Sequence, residues 1–508
     1  MFTLPKNSRL RNTRTRAGRL KSTLGLMLLS CSLGACAVGP DFVRPGAPAS
    51  QRYVQTEEPA TTVAANGVAQ HLEQGAPIPD EWWRLFNCPK LDALVIQSFA
   101  HNPTVEAAHA TLRESEDNLR AGYGIFFPQL SAGFQPTRQQ FSPTRFGSNT
   151  APSIFSLYTV SATITYVLDV FGGQRRTVEG LRAQVDVQYQ NKRGTYLTLS
   201  GNVVNAVVAE AAYQAEIQAT QQLIGFLQEQ ESITAAQANA GIVPFSNLLS
   251  IQTELATNEA TLPPLRQQVA HTVHLLSILA GWEPGQDWAP AEVALSELGL
   301  PRDVPVSLPS DLVRKRPDIL AAEAQLHTAS AQVGVATAAM FPSFTLNANY
   351  GWNSTSLSNL FANNAEFWTL GAGIATPLIQ GPTLWYQRKA AIDAYQQALA
   401  NYRQTVLAAL AQVADALDAL QHDAQTLNAQ SHAFSTAAEL LRLTQINYSA
   451  GTVNYVQVLI ADYQYEQANM GYIQAIGQRL QDTAALLVAL GGGWLSTRVP
   501  SSQSALFN

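Results

Sequence analysis

A chain of 508 residues is long enough for several domains or for one large elongated body. Only 13% of its residues are charged and its net charge is −6, so it lacks the basic excess that marks a nucleic-acid partner.

The first 35 residues read as a targeting segment rather than as part of the fold. Lys6, Arg9, Arg11, Arg14, Arg16, Arg19 and Lys21 form a basic head with no acid among them. Residues 24–33 are an apolar run too short to span a bilayer as a helix. Without those seven cations the remaining chain carries close to −13, a charge suited to a solvated body. The run closes on Leu33-Gly34-Ala35-Cys36. Small residues ahead of a cysteine look like a lipoprotein cleavage box, after which Cys36 would take lipid on its thiol and amine; the alternative is an ordinary Ala-x-Ala-type cut near the same place. Leu28-Leu29-Ser30-Cys31 fits the spacing as well, but Cys36 stands at the end of the apolar run. With Cys36 acylated, Cys88 is the one thiol left and no intramolecular disulfide can form.

Beyond this the chain repeats itself. Asn102-Pro103 and Phe127-Pro128 answer Arg316-Pro317 and Phe341-Pro342 at an offset of 214. Ala240-Gly241-Ile242-Val243 answers Ala450-Gly451-Thr452-Val453 at an offset of 210. Each half reads in the same order: a helix (103–122 and 317–339), two strands, a very long helix, a tight turn and a returning helix.

The strands alternate. Tyr158, Val160, Ala162, Ile164, Tyr166 and Leu168 oppose Leu157, Thr159, Ser161, Thr163 and Thr165. Leu130, Ala132 and Phe134 begin a second strand, and two more hold Phe344 to Tyr350 and Trp368 to Ile374. Each is expected to run about 9–11 residues, the length of a tilted membrane strand. The aromatics Tyr158, Tyr166, Tyr350 and Trp368 fit interfacial girdles near strand ends, although a soluble sandwich would alternate equally and the strands alone do not decide between the two.

Residues 174–240 contain no proline, and residues 383–450 neither proline nor glycine. Each helix would be about 100 Å long, too long for a compact domain, so a bundle or tube is required. The series Leu407, Leu410, Val413, Leu417, Leu420 has the 3–4 spacing of a packed face. Gly241 and Gly451 can take the left-handed conformation that ends a helix, and Pro244 and Asn454 start the returns, over 246–280 and 456–490. Pro263-Pro264 must kink or break the first return; the second has no counterpart. Four strands leave two open edges, which lipid does not tolerate. Several copies must therefore pool strands; two copies give eight and three give twelve, and geometry alone does not choose between them.

These residues resemble the TolC-like outer-membrane efflux family, in its lipidated NodT/OprM-like branch. The likeness covers 36–494 and rests on Cys36-Ala-Val-Gly-Pro-Asp-Phe-Val-Arg-Pro45, Trp82-Trp83-x-x-Phe86, Leu308-Pro-Ser-Asp-Leu-Val-Arg-Lys-Arg-Pro-Asp-Ile319, Phe341-Pro342, Tyr448-x-Ala-Gly-Thr-Val453 and Leu490-Gly-Gly-Gly-Trp494. It implies an α+β membrane protein, a homotrimer whose twelve strands form one outer-membrane barrel continued by a periplasmic helical barrel. It implies an efflux duct exporting drugs or toxic organics, without catalysis, metal or cofactor beyond the lipid on Cys36. The turns at Gly241, Val243, Gly451 and Val453 would be the periplasmic tips. There a periplasmic adaptor would join the duct to an inner-membrane pump of the resistance-nodulation-division (RND) class. The expected organisation is a leader over 1–35, an extended segment wrapping the periplasmic body over 36–88, repeats over 89–281 and 309–491 joined by a linker over 282–308, and a tail over 492–508.

Two departures stand out. Relatives place an aspartate in the first turn after the second tip, where Ile460 stands here, with Gln457 at a neighbouring place and Asp462 two residues on. These three are candidate constriction residues, with an apolar and amide aperture at Ile460 and Gln457 in place of an acidic ring. Thr376-Pro377-Leu378-Ile379-Gln380-Gly381-Pro382 stands where relatives carry a glycine pair. Other signals read as structural: His271 and His274 lack a third ligand, Arg314-Lys315-Arg316 reads as an exposed turn, and Glu254, Glu259, Asp462 and Glu466 as solvated or tunnel-lining. The alternatives are a passive outer-membrane channel, which predicts no long helices, a periplasmic helical scaffold, which predicts no aromatic-bounded strands, and a periplasmic enzyme, for which no constellation exists.

Overall fold

The computed structural model describes residues 37–493, apart from 49, 51, 55–59, 65–67, 143, 145–146, 148–150, 287 and 378–381. The leader, Cys36, most of the 376–382 corner and Trp494 lie outside the described residues. In chain order the elements are β1 (His71–Gln74), α1 (Pro89–His101), α2 (Pro103–Gly122), β2 (Gln129–Phe141), β3 (Ser153–Leu168), α3 (Gly173–Asn239), α4 (Phe245–Glu259), α5 (Leu262–Leu279), β4 (Asp303–Val306), α6 (Pro309–Lys315), α7 (Pro317–Ala338), β5 (Ser343–Ser354), β6 (Glu366–Ala375), α8 (Thr383–Ser449) and α9 (Tyr455–Ala489). Each half thus runs short helix, helix, strand pair, long helix, return. Pro103 and Pro317 open α2 and α7, where a missing N–H forfeits no helical bond.

The chain divides into two compact units. One comprises residues 1–44, 115–185 and 324–399 and holds a four-stranded antiparallel sheet in the order β2-β3-β5-β6. Its strands have 13, 16, 12 and 10 residues; β6 has the expected length, whereas β2, β3 and β5 are longer than the alternation suggests, the β2–β3 pairing continuing out to Phe141 opposite Ser153.

The other unit comprises residues 45–114, 186–323 and 400–508. Its largest core cluster joins Trp82, Trp83 and Phe86, α1, α3, α8 and α9. The buried stripe of α8 passes through Val406, Ala409, Val413, Leu417 and Leu420. Leu407, placed on that face by its spacing, is 62% exposed. A two-stranded parallel sheet pairs β1 with β4, far apart in sequence. Fully buried Arg479 ties the segment leading into β1 to α9, donating from Nε to Gln70 Oε1 at 3.2 Å and from Nη2 to Thr62 Oγ1 at 3.0 Å.

Both long helices have 67 residues and end in the same motif. Gly241 and Gly451 adopt φ of 73° and 69°. Ile242 N donates to Gln237 O at 2.9 Å and Thr452 N to Asn447 O at 3.0 Å, which satisfies carbonyls a helix end otherwise leaves open. The returns then differ. Asn454 caps α9 by accepting from Gln457 N at 3.1 Å, and α9 runs on unbroken for 35 residues. In the first half α4 stops at Glu259 and α5 begins at Leu262, because Pro263 and Pro264 cannot donate to the carbonyls one turn back.

Arg316 corrects the reading of its basic run. Arg314 and Lys315 are exposed, but Arg316 is buried. It donates to Ala489 O at 2.7 Å and to Gln412, and pairs with Asp318 at 2.9 Å, so it closes the C-terminal end of α9. Replacing Arg316 with Met should cost about 2 kcal/mol through these charged bonds. Thermal loss of the helical circular-dichroism signal should therefore come earlier, whereas Arg314→Ala and Lys315→Ala should leave it within about 0.5 kcal/mol of the parent.

Candidate functional site

The unbroken register of the four-stranded sheet gives each face a single parity. Even-numbered residues form an apolar face: Ala162 stands opposite both Ala132 and Tyr350, and Tyr350 opposite Trp368. This face lies open, with Leu370 at 76%, Trp368 at 72% and Leu130 at 71% exposure. Odd-numbered residues form the other face, mainly Ser, Thr, Asn, Gln and Gly. The outer edges of β2 and β6 pair with no described strand. Tyr158, Tyr166, Tyr350 and Trp368 all belong to the apolar face. Only Tyr166 and Trp368 stand near the ends of their strands; Tyr158 and Tyr350 fall within theirs, because the strands are longer than alternation alone indicates.

The corner from β3 into α3 holds the start of the described chain. Asp169 accepts from Gln174 N and Arg175 N, both at 3.0 Å, and so caps α3. Val38 N donates to Phe171 O at 3.0 Å. Arg176, buried at 5% exposure, reaches Asp41 at 2.6 Å and Glu179 at 2.7 Å. Glu179 also meets His327 of α7 at 2.9 Å, and Phe42 stacks on that ring at 4.3 Å between centroids. Residues 38–42 are thus clamped between α3 and α7. No local signal in the sequence marked Arg176 or His327.

At the second tip Gln457 and Ile460 are exposed, Ile460 to 40%. Asp462 is not beside them: it is buried at 8%, as is Glu466 at 3%, so neither is solvated or lines an open surface. Burial, reinforced by Glu466 and Glu229, pushes the Asp462 carboxyl up to about 6. Glu229 accepts from Tyr455 Oη at 2.8 Å, and Glu254, half-buried, from Tyr463 Oη at 2.6 Å; Glu259 is exposed. Between α8 and α9, burial and a hydrogen bond with Asp482 push Asp423 up to about 7, against the pull of Arg479. Both tip glycines and Val243 and Val453 sit in the turns, with Gly241 and Gly451 exposed.

His271 and His274 are exposed, and no group of three His, Cys, Asp or Glu among the described residues could hold a metal. A cavity of about 650 Å³ lies among α3, α8 and α9, lined by Asn202, Arg316, Gln412, Asp415 and Asp482 without a nucleophile set against a base.

A sheet with one open apolar face and one polar face, feeding two 67-residue helices, defines a membrane channel protein rather than an enzyme. The chain belongs to the outer membrane efflux protein family, whose model matches residues 94–281 and 308–492, one stretch per repeat. It is 29% identical over 496 residues to the toluene efflux pump outer membrane protein TtgC of Pseudomonas putida, covering 96% of this chain and 98% of the relative. It is 27% identical over 484 residues to the pyoverdine export outer membrane protein OpmQ of Pseudomonas aeruginosa, covering 94% and 98%. The Campylobacter jejuni CmeC outer membrane channel superposes with a TM-score of 0.79 at 17% identity, over 90% of this chain and 95% of that one, which shows the shared fold.

The raised carboxyl groups make stability pH-dependent in a defined direction. A folded-state pKa above that of the unfolded chain costs stability as pH rises through the interval between them, and the full cost stands above the folded value. For Asp462 the interval runs from the ordinary value of 3.8 to about 6, and for Asp423 from 3.8 to about 7. Asp462→Asn and Asp423→Asn should therefore raise the thermal midpoint by a few degrees at pH 8, and the gain should vanish near pH 4, as read by melting of the helical signal.

Proposed function

We propose that three copies of this chain pool their strands into a twelve-stranded outer-membrane barrel and work as the exit duct of a tripartite efflux system. The open apolar face with its two unpaired edges carries this reading: in lipid every backbone N–H and C=O must be bonded, so a four-stranded sheet is completed by further copies. The 67-residue helices supply the tunnel wall. Lipid on Cys36 anchors the chain, and the clamp on residues 38–42 supports this by fixing the segment next to it. The tips at Gly241, Val243, Gly451 and Val453 receive a periplasmic adaptor, which connects an inner-membrane pump of the RND class. That pump supplies the energy, and adaptor docking favours the open duct over the closed one. The cargo is a small organic molecule, in keeping with relatives named for toluene efflux and pyoverdine export. A passive porin-like channel leaves the long helices without a role, and a helical scaffold leaves the exposed apolar sheet without one.

Leu370 lies on the apolar face and Thr369 on the polar one. An Arg facing lipid costs about 2–4 kcal/mol near the membrane midplane, so Leu370→Arg should abolish heat-resistant trimer bands in outer-membrane fractions, and Thr369→Arg should retain them. Crosslinked wild type should bring down an adaptor and one inner-membrane pump; recovery of the chain alone, where a control assembly is captured, would return the passive channel. The aperture is formed by Gln457 and Ile460, exposed and uncharged, without Asp462. Ile460→Asp should make the closed-state conductance more cation-selective in single-channel recording, and an unchanged record would remove Ile460 from the aperture.

A further inference from the structure

The polar face of the membrane sheet has a property that alternation does not require. Among the described residues of the four strands only Arg138 and Glu366 are charged, and both belong to the even-numbered, apolar face. The odd-numbered face offers hydroxyls and amides such as Gln135, Ser161, Thr163, Thr165, Asn347 and Asn349, and no carboxylate or cation anywhere along it. In a closed barrel that face is the inner wall, and each of its residues recurs once per copy. A single acid there would become a ring of like charges focused by the surrounding lipid, the usual device for selecting solutes by sign.

We propose that the inner wall of the barrel is electrically neutral and admits anionic, cationic and uncharged organic solutes alike, discriminating by size and hydrogen bonding. This rests on the barrel reading above. The wall lets one duct serve cargo of either sign, so any charge selection is made elsewhere.

The test is made on the intact protein in outer-membrane vesicles, with reagents added from the external side. Cys88 is buried and gives no background, and the parent chain controls for any other thiol. Thr163→Cys places a thiol on the polar face and Ile164→Cys one on the apolar face. Each is treated with a sulfonate-bearing and a quaternary-ammonium-bearing methanethiosulfonate, with rates normalised to a free thiol. Thr163→Cys should react with both reagents at normalised rates within about twofold of each other, because no fixed wall charge biases local concentration. Adding Asn349→Asp, directly opposite Thr163, should favour the cationic reagent by about fivefold or more, less so at high salt. A preference of about tenfold for either sign in Thr163→Cys, or a ratio unmoved by Asn349→Asp, would overturn the neutral wall while leaving the barrel standing. Equal labelling of Thr163→Cys and Ile164→Cys, or labelling of neither, would overturn the barrel reading and the inference with it.

Discussion

Backbone hydrogen bonds at the edges of β2 and β6 set the terms for the rest of the molecule. Within one copy the sheet satisfies the inner edges through β3 and β5 and leaves two outer rows unpaired by any described strand. Water could satisfy those rows; hydrocarbon cannot, at a cost of several kcal/mol per group. The same four strands present Leu370, Trp368 and Leu130 on an open apolar face, which water disfavours. Both demands are met together only when the sheet closes on further copies within a membrane. The two repeats follow from this constraint: each contributes a strand pair and a long helix, so one chain delivers two equivalent sectors of wall.

The helices obey a different economy. Their mean hydropathy is low and no described helix is long and apolar enough to cross a membrane, so they are held by narrow stripes such as Val406, Ala409, Val413 and Leu417 rather than by an apolar surface all round. Small residues in the stripe let backbones approach, and left-handed glycines end both long helices after the same number of turns. The halves then diverge in their returns, where Pro263-Pro264 divides one arm and the other remains a single helix. Long helices of equal length followed by one divided and one continuous return are what duplication followed by local substitution produces.

Features written in short-range pattern could be read from the residues alone. The absence of proline over 174–240 and 383–450, the Ala-Gly-x-Val turns and the alternation around Tyr158 to Leu168 are local; the alternation alone also fits a soluble sandwich, and the long helices decided between the two. What escaped depends on partners distant in sequence. β1 and β4 are four residues each, carry little alternation and meet across more than 200 positions. Helical spacing gives the direction of Asp462 around its own axis, but not that it is buried, with Glu466 and Glu229 close enough to raise its pKa further. Arg316 sits in a basic run that resembles an exposed turn until the end of α9 is laid over it. The clamp of Arg176 on Asp41 joins residues 135 positions apart.

That clamp bears on how the protein sits in its membrane. From Val38, the second of the described residues, the chain is pinned to the strand-to-helix corner and to two helices. Were Cys36 acylated, as proposed above, only Ala37 would separate the lipidated residue from the clamped segment. A bilayer thinner or thicker than the apolar band would then strain the acyl chains as well as the strands, and an anchor at Cys36 would resist vertical drift of the barrel rather than merely prevent escape. A long flexible leash would hold the protein to the membrane without any such sense of depth.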